Sequence, residues 1–196
     1  MSTLALALTF FLVANPVGMS PAILSMVKDY PFDRQKKIML REGFIAFIIA
    51  LFFQFCGELF LGMLKISDFA LAYTGGSVLF LTALQMIFHK PEETHGPVLK
   101  QEPFIVPIAT PLISGPGLMT MIMVTSRAEG NDFKITTAIV LAWIGVMTVF
   151  ATAPYLQKLI GKRGLAAMEQ VMGMILGLIS VQMLVNGTKL FVKTLA

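Results

Sequence analysis

Apolar residues run through this chain in long blocks rather than in strict alternation, and polar residues gather in short clusters between the blocks. Six blocks approach the roughly 20 residues that carry a helix across a bilayer. They are Ser2–Val27, Gly43–Leu64, Phe69–Phe88, Pro103–Ser126, Ile135–Gln157 and Gln170–Val192. The pattern predicts an all-α membrane protein of six transmembrane helices, with almost nothing left over for a soluble domain.

The first and fourth blocks are interrupted at matching places. Ala14-Asn-Pro-Val-Gly-Met-Ser-Pro-Ala-Ile-Leu-Ser-Met26 aligns without a gap on Ala109-Thr-Pro-Leu-Ile-Ser-Gly-Pro-Gly-Leu-Met-Thr-Met121, placing Pro16 on Pro111 and Pro21 on Pro116. Proline, glycine and small polar side chains inside an apolar run predict broken helices 1 and 4, tolerated where the freed backbone groups are buried in protein or line a cavity. Helix 1 is expected to break near Asn15–Gly18 and to resume near Pro21, where proline suits a first turn. Its repetition argues against a removable leader. A second match superposes Gly76 on Gly173, Leu79 on Leu176, Gln85 on Gln182 and Met86 on Met183. The repeat thus runs from the first to the last helix of each half. Three helices per half is an odd number, so two such repeats enter the membrane from opposite sides, as two inverted three-helix repeats. Residues 1–88 form the first and 103–196 the second, joined by a polar linker, 89–102, expected in the cytoplasm.

Composition agrees. Hydrophobic residues make up 56% of the chain and charged ones 13%, against about 45–50% and 25% in soluble domains. The formal charge of +4 reflects topology rather than nucleic-acid binding. Lys28, Arg34, Lys36, Lys37 and Arg41 crowd one short loop, in which Tyr30-Pro31-Phe32-Asp33 predicts a turn with Asp33 as the N-cap of helix 2. Counted with Lys90, Lys100, Lys158, Lys162 and Arg163, that side holds twice the cations of the other, which has Lys65, Arg127, Lys134, Lys189 and Lys193. Positive-inside then places both termini on the non-cytoplasmic side of a bacterial inner membrane. Cys56 stands alone and the two histidines, His89 and His95, lie in the linker, so neither a disulfide framework nor a metal site is expected, and no cofactor. The chain has no HExxH, GxSxG or P-loop pattern and no pair of intramembrane aspartates, and an enzyme is not expected.

A broken helix offers free amides and a positive dipole end where it restarts, and free carbonyls where it stops. Such ends suit a zwitterion. The amide ends are expected around Gly18–Ser20 and Ser114–Gly117, the carbonyl ends around Val13–Asn15 and Ala109–Thr110. Pro16 and Pro111 contribute by lacking an N–H. Asn15, Ser20, Thr110 and Ser114 are the neutral side chains within reach, and Gly18, Gly115 and Gly117 belong to the amide ends of the expected substrate site. The competing reading is a pair of kinks packed on neighbours through small residues. Gln85 and Gln182 either line the cavity or bond between helices. Gly75, Gly76, Gly173 and Gly177 are expected to permit close helix approach. Glu58, the acid inside a predicted span, either carries protons or reaches interfacial water and Lys65. Arg41, Glu42 and Glu169 lie at helix mouths, where salt bridges or gating contacts are expected.

Asn15-Pro-Val-Gly18, Arg41-Glu42, Gly75-Gly76, Glu102-Pro-Phe-Ile-Val-Pro107 and Pro111-Leu-Ile-Ser-Gly-Pro-Gly117 together resemble the MarC family of small integral membrane proteins, over essentially the whole length. The resemblance implies six helices in two inverted halves. It also implies a small neutral solute, of glycine or alanine size, because one member is described as a small neutral amino-acid transporter. The expected function is therefore a secondary transporter or facilitator of small neutral amino acids working by alternating access. The alternatives are a channel for water or small uncharged solutes, suggested by Asn15-Pro16, and an accessory membrane subunit whose breaks shape a docking surface. The partners expected are that solute and the lipid bilayer, and no nucleic acid.

Overall fold

The computed structural model describes residues 1–88 and 113–195. Among them the chain forms helices and no strand: α1 (Thr3–Ala14), α2 (Pro16–Met26), α3 (Phe32–Met63), α4 (Asp68–Phe88), α5 (Pro116–Glu129) and α6 (Asp132–Leu195). Five runs are long and apolar enough to cross a membrane: Thr3–Met26, Phe32–Gly57, Asp68–Phe88, Asp132–Leu156 and Arg163–Leu195. The expected fourth span, Pro103–Ser126, is described only in its second part. There α5, with 14 residues, reaches about 20 Å, short of a full crossing.

Contacts at the helix ends fix the direction of each run. At one end of the bundle the Met1 ammonium meets Glu129 at 2.7 Å, Arg127 pairs with Asp68, and Gln54 donates to Asp132 O and Thr136. Phe69 and Tyr73 of α4 meet Phe191 and Thr188 of α6 at that same end. At the other end Phe32 stacks edge-on against Tyr155, and Lys158 lies over the Phe32 ring. Both termini therefore lie at the first end. The half-helices run apart from their interruptions, α2 towards the second end and α5 towards the first.

Two expected boundaries are corrected. The first interruption is one residue, Asn15, and α2 restarts at Pro16 and runs through Pro21. Pro16 occupies the first helical position, where its missing N–H is no loss, so the helix need not wait for Pro21. Helix α3 begins at Phe32, with the Arg34 and Gln35 amides bonded to Pro31 O. Asp33 is thus a first-turn acid facing the helix dipole, not the N-cap. The expected connection through Lys158 to Arg163 is a tight reversal at Gly161, whose non-helical backbone divides α6 into two limbs that carry the spans Asp132–Leu156 and Arg163–Leu195.

Gly161 has φ 67° and ψ 179°, a region essentially confined to glycine. A Cβ there would meet open space, so the expected penalty for Gly161→Ala is backbone strain alone, about 1–3 kcal/mol. Thermal unfolding in detergent, followed by circular dichroism, checks this; an unchanged midpoint refutes it.

Large apolar side chains cover the outside. Phe44, Ile48, Phe52, Phe55 and Leu59 form an exposed stripe along α3, while its opposite face buries the small Ala46 and Ala50. The α6 limb before Gly161 passes through the centre, burying Ile135, Ile139, Trp143, Val146 and Phe150. Lipid tails are as apolar as leucine, so small inward residues are what let these helices pack closely. Threonines on the outer face bond their own helix, as Thr74 does to Ala70 O and Thr148 to Ile144 O. Each such bond satisfies a hydroxyl that would otherwise face hydrocarbon.

Candidate functional site

Asn15 is fully buried and has φ 49° and ψ 49°, the left-handed conformation that asparagine tolerates better than most residues. Its N–H donates to Phe11 O at 3.0 Å and closes α1, while its carbonyl accepts the Met19 N–H at 3.0 Å. Its Oδ1 accepts the Gly18 N–H at 3.2 Å and opens α2. A single side chain thus caps the second helix at the point where the first stops. The remaining polar group, Nδ2, donates to the Met86 sulfur at 3.1 Å.

The expected polarity of this break survives in part. Pro16 has no N–H and the Gly18 amide is spent on Asn15. Among the described residues no α2 amide bonds back to the carbonyls of Val13 or Ala14. Among the described residues the carbonyl end is therefore open, and the amide end is largely satisfied from within. Ser20, also buried, donates its hydroxyl to Pro16 O at 2.6 Å rather than into a cavity.

In the second interruption, Thr110 and Pro111 lie outside the described residues, as does the 89–102 linker. Ser114 is fully buried and donates to Ala46 O of α3 at 2.8 Å. Gly115 precedes α5 in extended conformation and provides no side-chain cap, so the first amides of α5 keep the anion-binding polarity that Asn15 removes from α2. Thr120 donates to Pro116 O at 2.6 Å, as Ser20 does to Pro16 O. The aligned copies therefore restart at different prolines: Pro16 in the first, and in the second Pro116, the counterpart of Pro21.

The half-helix α5 packs on α4, and α2, which packs on α6, meets the same face of α4 through Met86. A Cβ added at Gly18 would lie 2.4 Å from Met86 Cε, and one at Gly117 would lie 2.4 Å from Leu79 Cδ2. Leu79 and Met86 are two turns apart on α4, about 10 Å. Gly75 of the same face is closed by Thr120 and Met183, Gly76 by Leu184, and Gly173 by the Met86 Cβ and the Ala83 carbonyl. Gly75, Gly76 and Gly173 thus provide the close approach expected of them. Gly177 stands in ordinary contact with Ala83.

Other residues lie elsewhere. Gln85 and Gln182 are exposed on the flanks of the bundle, and Gln182 bonds Asn186 one turn on; neither faces the interruptions. The backbone of Glu58 is helical, but its side chain lies outside what the structure describes. Gln54 occupies an interior position that the sequence does not single out, and Glu42, expected at a helix mouth, forms the expected salt bridge with Arg41 but lies fully buried. Gln54 is buried on α3, with Nε2 bonded to α6 and Oε1 without a partner among the described residues. The signal was available, since an amide inside a span calls for a partner as much at Gln54 as at Gln85. Glu42 is 0% exposed and accepts two bonds from the Arg41 guanidinium, at 2.8 and 3.0 Å. The mouth of the helix is closed over it by tertiary packing, which no local pattern foretells.

At the end that holds the termini, Glu129 takes an ion pair from Lys134 and another from the Met1 ammonium. The Lys134 hydrogen bond first, then that of the N-terminus, holds its carboxyl below the usual carboxylate range. This polar clasp joins the end of α5 to the starts of α1 and α6, outside the apolar spans.

Several apolar crossings, a lipid-type exterior and interruptions buried at mid-span define a multi-pass integral membrane protein. The family described as MarC family integral membrane protein matches residues 1–192, and the chain belongs to that family. It is 33% identical over 189 residues to the inner membrane protein YhgN of Escherichia coli (strain K12), covering 95% of this chain and 96% of that one. A membrane protein of Buchnera aphidicola subsp. Schizaphis graminum (strain Sg) is 33% identical over 183 residues, 93% of each chain. One from Chlamydia trachomatis serovar D is 31% identical over 183 residues, covering 91% of this chain and 89% of that one. Neither the family description nor these names specify an enzymatic activity. No solved structure matches significantly.

Proposed function

We propose that this protein is a secondary transporter or facilitator of small neutral amino acids, with its site between the interrupted helices. The observation that carries the reading is Asn15. A left-handed residue is buried at mid-span, beside carbonyls that take no α2 amide, with a carboxamide whose N–H bonds a thioether among the described residues. The second interruption offers the complementary pole, the uncapped amides of α5. Open carbonyls suit an ammonium and uncapped amides a carboxylate, and both ends reach the same face of α4. The side chains described at the interruptions are uncharged, which suits a solute whose own two charges cancel. Asn15, Pro16, Gly18, Ser20, Ser114, Gly115 and Gly117, with Thr110 and Pro111, form the proposed site.

The same reading takes residues 1–88 and 103–196 as inverted halves joined through 89–102. The opposite courses of α2 and α5 from their interruptions support it. The described cations separate as expected, Arg34, Lys36 and Lys158 at one end and Lys65, Arg127 and Lys134 at the other. Positive-inside then gives the first group to the cytoplasm and both termini to the opposite side of the inner membrane, the membrane named for the Escherichia coli relative. Met86 and Leu79 fill the space beside the interruptions, which favours alternating access over a permanently open pore.

The test is uptake of labelled glycine, alanine and serine into proteoliposomes, with and without a proton gradient, comparing the parent with Ser114→Ala. Saturable uptake by the parent that falls at least tenfold in the variant supports the reading. Folded, oriented parent protein that moves none of the three under any ion gradient overturns it.

A further inference from the structure

The contact between Asn15 and Met86 has a property that ordinary core packing does not require. Met86 reaches from α4 into a slot with a glycine on either side, Gly18 of α2 and Gly173 of α6. A Cβ at Gly18 would lie 2.4 Å from its Cε, and one at Gly173 would lie 2.9 Å from its Cβ. The slot therefore exists only because two helices give up their side chains to it. At its base Asn15 Nδ2 donates to a thioether sulfur, a weak acceptor. A carboxylate or carbonyl oxygen in the same position would be the stronger partner.

We infer that Met86 is a removable plug. Its thioether holds the place of a solute oxygen against Asn15 Nδ2, and the space it vacates sets the largest solute that the first interruption admits. This inference rests on the reading of the interruptions as a substrate site. Methionine suits the task because it is unbranched, with three rotatable bonds, and withdraws without moving its backbone. Branched Leu79, which fills the corresponding space over Gly117, has less freedom to do so. The plug excludes solute from Asn15 while it is seated. On withdrawal it exchanges one weak hydrogen bond for a stronger one, so the solute itself favours the open arrangement. Methionine and a small amino acid are of similar reach, and a bulkier solute finds the slot walled by α2 and α6 at their glycines.

Met183 is the repeat counterpart of Met86, and its Cε lies 2.8 Å from a Cβ placed on Gly75. It removes as much side chain when truncated, but at another glycine, and so serves as the internal control.

The experiment needs no substrate. Cys56, the sole native thiol, is replaced by serine, and Asn15→Cys introduces a reporter. Labelling by a small water-soluble methanethiosulfonate is then timed in reconstituted protein. With Met86 present the expected labelling is slow. With Met86→Ala it accelerates at least tenfold, and with Met86→Leu or Met183→Ala it stays slow. Equal rates with Met86 and with Met86→Ala overturn the plug, as does equal acceleration by Met183→Ala, which would mean general loosening. Should Asn15→Cys not fold, hydrogen peroxide oxidation of the unmodified protein, read by peptide mass spectrometry, takes its place. A plug that withdraws exposes its sulfur, so Met86 is expected to oxidise at least tenfold faster than the fully buried Met39. Equal rates overturn the inference. Failure of amino-acid uptake by the parent, with labelling as expected, would remove the amino-acid reading and leave Met86 as a plug for another small solute. Uptake without Met86-dependent labelling would do the reverse.

Discussion

An Asn15→Gly variant is expected to keep the fold and lose uptake by at least tenfold. Glycine adopts the left-handed conformation of Asn15 at no steric cost, and as a helix cap it is only a few tenths of a kcal/mol worse than asparagine. The variant should therefore unfold within about 1 kcal/mol of the parent. What it lacks is the carboxamide, whose Nδ2 is the donor assigned to the solute. A hydrogen bond to a charged group contributes about 1.5–3 kcal/mol, and 1.4 kcal/mol is already tenfold in affinity. Asn15→Ala confounds the two effects, because alanine also meets left-handed strain of about 1–2 kcal/mol. Uptake and detergent unfolding measured on the same preparations separate them. Parent-like uptake by Asn15→Gly would show that the interruption only shapes the helix, the competing reading set out from the sequence.

The largest expected loss of stability follows from Arg41→Met. Glu42 is fully buried and its Oε1 accepts two bonds from the Arg41 guanidinium. Removing Arg41 withdraws both of these bonds from a carboxylate that stays buried, and breaking a pair costs about 3–5 kcal/mol when both members are fully buried. Arg41 keeps 34% of its side-chain exposure, so part of its attraction is screened by solvent and about 3 kcal/mol is the expectation. Arg41→Met with Glu42→Met, which removes both charges while keeping the volume, should return to within about 1 kcal/mol of the parent. Unfolding of the parent, both single variants and the double variant in one detergent completes the cycle. A single-variant loss below about 0.5 kcal/mol would show that Glu42 does not depend on Arg41, since that is the range of ordinary surface changes.

Residues differ in how far their roles could be read from the chain. The interruption at Asn15-Pro16 was legible because proline and asparagine act locally: one removes a donor and the other tolerates the left-handed turn. Its extent was not legible. Pro21 looks like a restart point in isolation, but the Asn15 carboxamide caps Gly18 and lets the helix resume at Pro16. Without a capping side chain at Gly115, the second copy restarts at Pro116. Two aligned segments thus adopt different registers through the presence or absence of one cap. Gln85 and Gln54 make the same point for burial. Both are amides within apolar runs, and only the packing of α3 against α6 places Gln54 inside and leaves Gln85 on the flank.

What the sequence determined by itself is the set of apolar blocks, their helical form, the repeat and the interruptions. Lipid leaves a backbone few ways to satisfy its polar groups, so length and hydropathy suffice for that part. Which side chain closes each glycine was decided only by the tertiary structure. A glycine specifies a gap, and the gap has no occupant until another helix supplies one, as α4 supplies Met86 to Gly18 and Leu79 to Gly117. The burial of Glu42 belongs to the same class, because it depends on helices that meet over α3 and not on the residues beside it in the chain.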